Sequence, residues 1–212
     1  MRTFLCIGEE ADVDKKKDDP AKRIRLLFVR HTETHWNSER IYSGQSDIPW
    51  LSEKGVAQAK ALAFDLRPFV PVAAIYSSDL TRTRQTAGII GYYLGIEPQL
   101  DRRLREVHYG KLEGMSRDAA GDLYPEPTLS IRHPNFDFRP LGGESRAEVV
   151  ARHLDFLNAC ALRHGASKGD PPRVVVVGHG GSLRALPERF GMGKEFAQGA
   201  VHEHLYEYTL QG

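Results

Sequence analysis

Three things are scarce in this chain of 212 residues: cysteine, long apolar runs, and any excess of one charge. The 2 cysteines, Cys6 and Cys160, are too few for a disulfide scaffold or a cysteine-based zinc site. Lys+Arg total 29 and Asp+Glu 28, a formal net charge of +1. The protein as a whole therefore offers no electrostatic reason to bind nucleic acid or an anionic membrane, and an anion site must be a local cluster. The longest purely aliphatic run, Val174–Val177, is far short of the ~20 apolar residues that span a bilayer. The opening MRTFLCIG breaks into Glu9, Glu10 and Asp12, without the longer apolar core and small-residue cleavage site of a secretory signal. These absences read as a cytoplasmic protein.

What is present is ordinary globular composition, 41% hydrophobic and 27% charged, at a length suited to one α/β domain. Residues 1–23 read as a charged N-terminal tail or linker, and residues 24–212 as the folded domain. Ile24–Val29 and Arg173–Val177 are unbroken β-branched or aliphatic runs, the pattern of parallel strands covered on both faces. Val72–Tyr76 is a third strand, and Leu205–Leu210 a fourth nearer an edge. Helices are expected from a Ser52 cap to about Pro68, from an Asp79 cap to Leu94 with Gly95 ending it, and from Ser145 to His164 before Gly165. Val149, Val150, Leu154, Leu157 and Ala161 form the core face of the last. Strands alternating with helices predict a three-layer α/β/α sandwich around a mostly parallel sheet. The proline-rich stretch 116–143 reads as a lid-like excursion.

The chemistry concentrates at strand ends. Both buried strands run directly into a histidine, LLFV-Arg30-His31 and VVVVG-His179-Gly180-Gly181. In an open parallel sheet the ligand crevice lies outside the carboxyl ends of the strands, so the two imidazoles are expected to face one pocket. The third strand adds Arg82 on the first turn of its following helix, at the same end. Arg84, two residues on, faces elsewhere. LREVHYG at 104–110 supplies Glu106, a carboxylate on a loop between core elements. Guanidiniums match phosphate oxygens, and Gly180 lets a backbone N–H approach an anion. A neutral imidazole is a nucleophile, and a nearby carboxylic acid can protonate a departing alkoxide. Together these residue types suit phosphoryl transfer without a metal or cofactor.

Leu26–Gly55 (LLFVRHTETHWNSERIYSGQSDIPWLSEKG) resembles the signature of the histidine phosphatase superfamily, also called the phosphoglycerate mutase-like family. Further motifs follow in order: YSSDLTRTRQTA at 76–87, LREVHYGKLEG at 104–114, GGES at 142–145 and VVVVGHGGSLRAL at 174–186. The resemblance covers about residues 24–210 and implies the phosphoglycerate mutase-like fold. It implies that His31 becomes phosphohistidine, that Arg30, Arg82 and His179 hold the phosphoryl group, and that Glu106 is the proton donor. It also places Asn37 and Ser43 in the pocket, with the Gly180 N–H, and gives Glu33 a role in orienting the loop. Thr32 stands where the family usually has Gly, which requires a negative φ there. DIPWLSEKG is one residue longer than the common pattern.

Hydrolases and mutases of the family share the phosphohistidine step. The short connection from Glu106 to His179, with no closing C-terminal tail, favours a phosphatase over a cofactor-dependent mutase. The expected partner is a small phosphorylated metabolite. Arg132, His133 and Arg139 are candidates to read a second anionic group on it. IYSG with DIPWLSEKG also resembles α-ribazole phosphatases of cobalamin assembly. The sequence does not choose between a monomer and a homodimer. Three competing classes are a metallohydrolase built on His202 and His204, a phosphate-binding loop at Gly191–Lys194, and a non-catalytic phospholigand-binding protein. The first lacks further ligands nearby, and the second lacks the upstream Gly and following Ser/Thr.

Overall fold

The computed structural model describes residues 21–126, 129–186, 198 and 200–209. Its centre is a five-stranded sheet in the order β3-β2-β4-β1-β5. β1 spans Lys22–Arg30, β2 Val72–Ser77, β3 Gln99–Leu100, β4 Arg173–Gly178 and β5 Val201–Tyr208. All neighbours are parallel except β5, which runs antiparallel to β1 along one edge. The α-helices are α1 (His35–Ser38), α2 (Glu53–Asp65), α3 (Thr81–Leu94), α4 (Arg117–Leu123), α5 (Arg146–His164) and α6 (Gly180–Ala185).

The strand side chains alternate between two cores, because successive Cβ atoms point to opposite faces. Leu26, Phe28, Val174 and Val176 pack with Phe156 and Leu157 of α5 and Leu183 of α6. Leu27, Val29, Val175 and Val177 pack on the other face with Leu62 and Leu66, on and just after α2, and with Ala87 and Ile90 of α3. This is the three-layer sandwich expected for continuous apolar strands. Ser52 caps α2 and Ser145 caps α5, the latter in a reciprocal capping box with Glu148. Gly95 ends α3 at φ +70°, a conformation that favours glycine.

Several expectations shift. β1 begins at Lys22, whose register partner on β5 is Tyr208, so Lys22 and Arg23 belong to the domain rather than to the tail. β5 starts at Val201, four residues before the expected start. Asp79 does not cap α3: the cap is Leu80, while both Asp79 oxygens take hydrogen bonds from Arg105 at 2.6 and 2.7 Å. A two-bond ion pair outcompetes a single capping bond for that carboxylate. On α5, Val150 and Leu154 are only partly buried, and His153, Phe156 and Cys160 complete the covered stripe. The excursion contains α4 and closes over its own core of Leu129, Phe136, Phe138 and Leu141 against Val107 and Tyr109. Cys6 and the Gly191–Lys194 stretch lie outside the described residues. No helix among the described residues is long and apolar enough to cross a membrane.

Candidate active site

The site follows from strand register. Arg30 pairs with Gly178 across β1 and β4, and the His31 N–H continues the ladder to the Gly178 carbonyl at 2.9 Å. The next residue of each strand is therefore a histidine, and the two leave the sheet side by side. Their rings meet edge to face with centroids 5.2 Å apart. His31 Nδ1 lies 2.8 Å from the Thr32 carbonyl, which only accepts, so Nδ1 carries the proton and Nε2 keeps its lone pair. Burial holds His31 well below the usual histidine range, with the Arg82 and Arg30 guanidiniums acting in the same direction. The nucleophile candidate is thus neutral.

Thr32 avoids positive φ, the only such non-glycine being Arg40 among the described residues. The Thr32 N–H donates to Thr86 Oγ1 of α3 at 3.3 Å, which ties the loop after His31 to that helix. Glu33 does orient this loop. It accepts from Ser52 Oγ at 3.0 Å and Lys54 Nζ at 2.8 Å, and its N–H donates to Gln58 Oε1 at 3.0 Å.

Arg82 is wholly buried on the first turn of α3. Its Nη1 donates to the Ser46 carbonyl at 2.9 Å and its Nη2 to Gly44 at 2.6 Å, while Nε is left without a partner. Two carbonyls use part of the five-donor fork and leave the rest for an anion. Burial lowers its pKa to about 10, with Glu106 opposing, so it remains a cation at neutral pH. Gly44 sits at φ +47°, and a Cβ there would lie 2.1 Å from Glu113 Oε1. Only glycine lets this loop approach so closely.

Glu106 is buried against the start of α6. Its Oε1 accepts from Ser182 N at 2.6 Å and Val107 N at 2.9 Å, and its Oε2 from Gly181 N at 3.0 Å. Oε2 has the capacity left for a proton. Gly180 has a use the sequence did not reveal: a Cβ there would sit 2.7 Å from Arg30 Nε. Its bare backbone makes room for the Arg30 guanidinium.

These groups open on a pocket of about 580 Å³, lined by six arginines (30, 40, 82, 117, 132 and 184) and one carboxylate, Glu106. His31, Asn37, Ser43 and Gly180 are on its wall as expected. His179 is not: it is wholly buried behind His31, and neither ring nitrogen has a partner. Burial and Arg82 keep it well below the usual histidine range. Asn37 Oδ1 is largely engaged in capping, accepting from Thr34 N at 3.1 Å and Gln198 Nε2 at 2.6 Å. Of the second-anion candidates, only Arg132 reaches the pocket. Arg139 is held by Asp137 at 2.7 Å, and His133 Nδ1 accepts from Asn135 N. Sequence reasoning missed Tyr109, Arg40, Arg117 and Arg184 on this wall, although Arg40, Tyr109 and Arg184 sit inside motifs it had marked. No group of three or more His, Cys, Asp or Glu among the described residues is placed to hold a metal ion.

A profile of the histidine phosphatase superfamily (branch 1) matches residues 26–205. The chain belongs to this superfamily. Among its relatives is phosphoglycerate mutase-like protein 4 of Arabidopsis thaliana, 37% identical over 184 residues, 85% of this chain and 76% of that protein. Another is a 2,3-bisphosphoglycerate-dependent phosphoglycerate mutase of Methylobacterium sp. (strain 4-46), 35% identical over 166 residues, 76% of this chain and 77% of that one. Among solved structures, a mycobacterial glucosyl-3-phosphoglycerate phosphatase complexed with VO3 superposes with a TM-score of 0.73 at 28% identity, covering 89% of this chain and 98% of that one. The histidine phosphatases so gathered include both hydrolases and mutases, and this chain is an enzyme of that group. Relatives of both kinds match, so the comparisons leave unresolved the choice that the short Glu106–His179 connection was expected to favour.

Proposed function

We propose that this histidine phosphatase is a metal-independent phosphomonoester hydrolase acting on a small phosphorylated metabolite. The observation that carries this is a neutral His31, with its Nε2 lone pair available, in a pocket of six arginines and a single carboxylate. His31 Nε2 attacks phosphorus and the P–O bond to the leaving group breaks. Glu106 gives its proton to the departing oxygen, and water then takes the phosphoryl group from His31. Arg30 and Arg82 face the charge that gathers on the equatorial oxygens, where such barriers are chiefly lowered. His179, buried and unpartnered, backs His31 and presents a donor when the ring turns or the phosphoryl group arrives.

Among the described residues the pocket is open on one side, which supports hydrolysis of the phosphohistidine by water. Arg117 and Arg132 on the rim support a substrate with a second anionic group. A location in the cytoplasm accords with such a substrate. The alternative is a bisphosphoglycerate-dependent mutase, which the Methylobacterium relative favours.

The deciding experiment measures phosphate release in EDTA from an aryl phosphate, 3-phosphoglycerate and α-ribazole phosphate, with His31→Ala alongside. Release by the wild type that vanishes in the variant is expected. Release unchanged in His31→Ala would remove the nucleophile assignment. Interconversion of phosphoglycerates primed by 2,3-bisphosphoglycerate, without net phosphate release, would establish the mutase instead.

A further inference from the structure

The GGES motif at 142–145 takes no part in the chemistry above, yet it converges on the loop that carries Glu106. Gly143 packs so tightly there that a Cβ would lie 2.2 Å from the His108 carbonyl oxygen. Ser145 turns the chain into α5 as its cap. Between them the Glu144 carboxylate accepts four hydrogen bonds. They come from Arg152 Nε at 2.9 Å and Nη2 at 3.0 Å, from His108 N at 2.9 Å, and from Gln45 Nε2 at 3.3 Å.

Arg152, on the second turn of α5, spends every guanidinium N–H in the same place. Besides Glu144, its Nη1 donates to the carbonyls of Arg103 at 2.8 Å and Arg105 at 2.6 Å, and its Nη2 to that of Glu106 at 2.9 Å. A planar fork with five fixed donors thus grips three carbonyls of one short segment, a geometry an ammonium group cannot copy. Gln45 adds a cross-tie, donating to the Glu106 carbonyl at 3.1 Å as well as to Glu144. Gln45 lies between Gly44 and Ser46, whose carbonyls hold Arg82.

We propose that Arg152 and Glu144 are positioning residues that set the main chain of Glu106, and hence where its carboxyl meets the leaving-group oxygen. The inference rests on Glu106 as the general acid. The carboxyl is fixed at one end by the Gly181 and Ser182 N–H groups and at the other by this brace. A displacement near 1 Å is enough to cost about 100-fold in a positioned step. Attack by His31 is set by a different strand and helix, so the brace acts on protonation of the leaving group and leaves attack nearly untouched.

The test is kcat/KM across a leaving-group series from 2,4-dinitrophenyl phosphate through phenyl phosphate to glycerol 3-phosphate. It compares wild type, Arg152→Lys, Glu144→Gln, Glu106→Gln and the Glu106→Gln/Arg152→Lys double variant. Melting curves check that each is folded. Arg152→Lys and Glu144→Gln should lose about 10–100-fold on phenyl phosphate and less than about 3-fold on the dinitrophenyl ester, steepening the series as Glu106→Gln does. The double variant should lose no more on phenyl phosphate than Glu106→Gln alone. Losses of equal size across the series, an additive double variant, or no loss would overturn the brace. If Glu106→Gln keeps the wild-type slope, the acid assignment itself fails. If Glu106→Gln steepens the series while Arg152→Lys and Glu144→Gln do not, only the brace fails.

Discussion

Replacing Gly181 by alanine is the smallest change that should separate the two halves of the chemistry. Gly181 opens α6 beside Gly180, and its N–H holds Glu106 Oε2 at 3.0 Å. A Cβ at this position would lie 2.7 Å from Glu106 Oε1 and 2.6 Å from the Tyr109 hydroxyl. Both atoms are side-chain ends, so they can retreat without moving a strand. To reach ordinary contact the carboxylate must give by about 0.7 Å, beyond the ~0.5 Å within which a catalytic group has to be held. The cost should therefore fall on protonation of the leaving group: about 10–100-fold in kcat/KM for phenyl phosphate, or about 1.4–2.7 kcal/mol. 2,4-dinitrophenyl phosphate, whose phenolate departs with little help, should lose less than about 3-fold. Stability should change little, since alanine gains up to about 1 kcal/mol over glycine in a helix while Tyr109 loses some packing. The assay is steady-state kinetics on both esters with a parallel melting curve. Wild-type rates on both, or equal losses on both, would refute the placement of Glu106 as the acid.

Two further outcomes concern acid stability and the pocket rim. Burial, with Arg152 beside it, lowers the pKa of His153 to about 3. The unfolded chain binds that proton near pH 6.5, so between the two values it holds more protons than the folded chain, and stability falls as pH falls. His153 alone should remove about 2 kcal/mol between about pH 7.5 and 5, and His153→Leu should flatten the denaturant-measured profile by that amount; an unchanged slope would refute it. Arg117 lines the pocket from α4 with its guanidinium 5.8 Å from the Tyr42 ring centre. Arg117→Ala should raise KM for 3-phosphoglycerate by about 10-fold while sparing glycerol 3-phosphate, which lacks the carboxylate. Equal effects on both substrates would place Arg117 outside substrate recognition.

The parts of the fold that could be read from sequence were those with a single physical explanation. IRLLFVR and RVVVVG have no polar alternation, so only a two-sided burial suits them, and the histidines that end them had to emerge together. β5 was harder. VHEHLYEY is an edge strand whose open face carries Glu203, Leu205 and Glu207 while His202, His204, Tyr206 and Tyr208 take the other, so polar residues stand on both faces and only its aromatic half gave a signal. α4 is 7 residues long and carries no apolar period. Asp79 has the sequence context of a cap, but a partner 26 residues away, Arg105, claimed it. The site divides in the same manner. The places of His31 and Arg82 were legible because strand ends and helix starts are fixed by the fold, and Glu106 stood out as the carboxylate of the LREVHYG loop. Arg152 reads in sequence as one more solvated helix charge, and only the folded loop shows what it holds.

On the proposed chemistry, hydrolase and mutase differ in which acceptor meets the phosphohistidine, and that choice falls to the rim rather than to the strand ends. The wall that carries His31 and Arg82 is drawn from β1, β4 and α3, which pack into two continuous cores. The rim comes from the 40–44 loop, α4 and residues 130–132, built over a separate core. Arg40 holds φ +59° there, a conformation that costs a non-glycine residue about 1 kcal/mol or more and persists only where its surroundings enforce it. Its main chain is pinned by the Arg117 N–H at 2.9 Å, and its guanidinium pairs with Asp118 at 3.2 Å. The strained residue therefore belongs to the rim layer and not to the strand-end wall. On the proposed chemistry, Arg117→Ala and Arg132→Ala should alter which acceptor is used while single-turnover phosphorylation of His31 by an aryl phosphate persists; loss of that phosphorylation would refute the division between rim and wall.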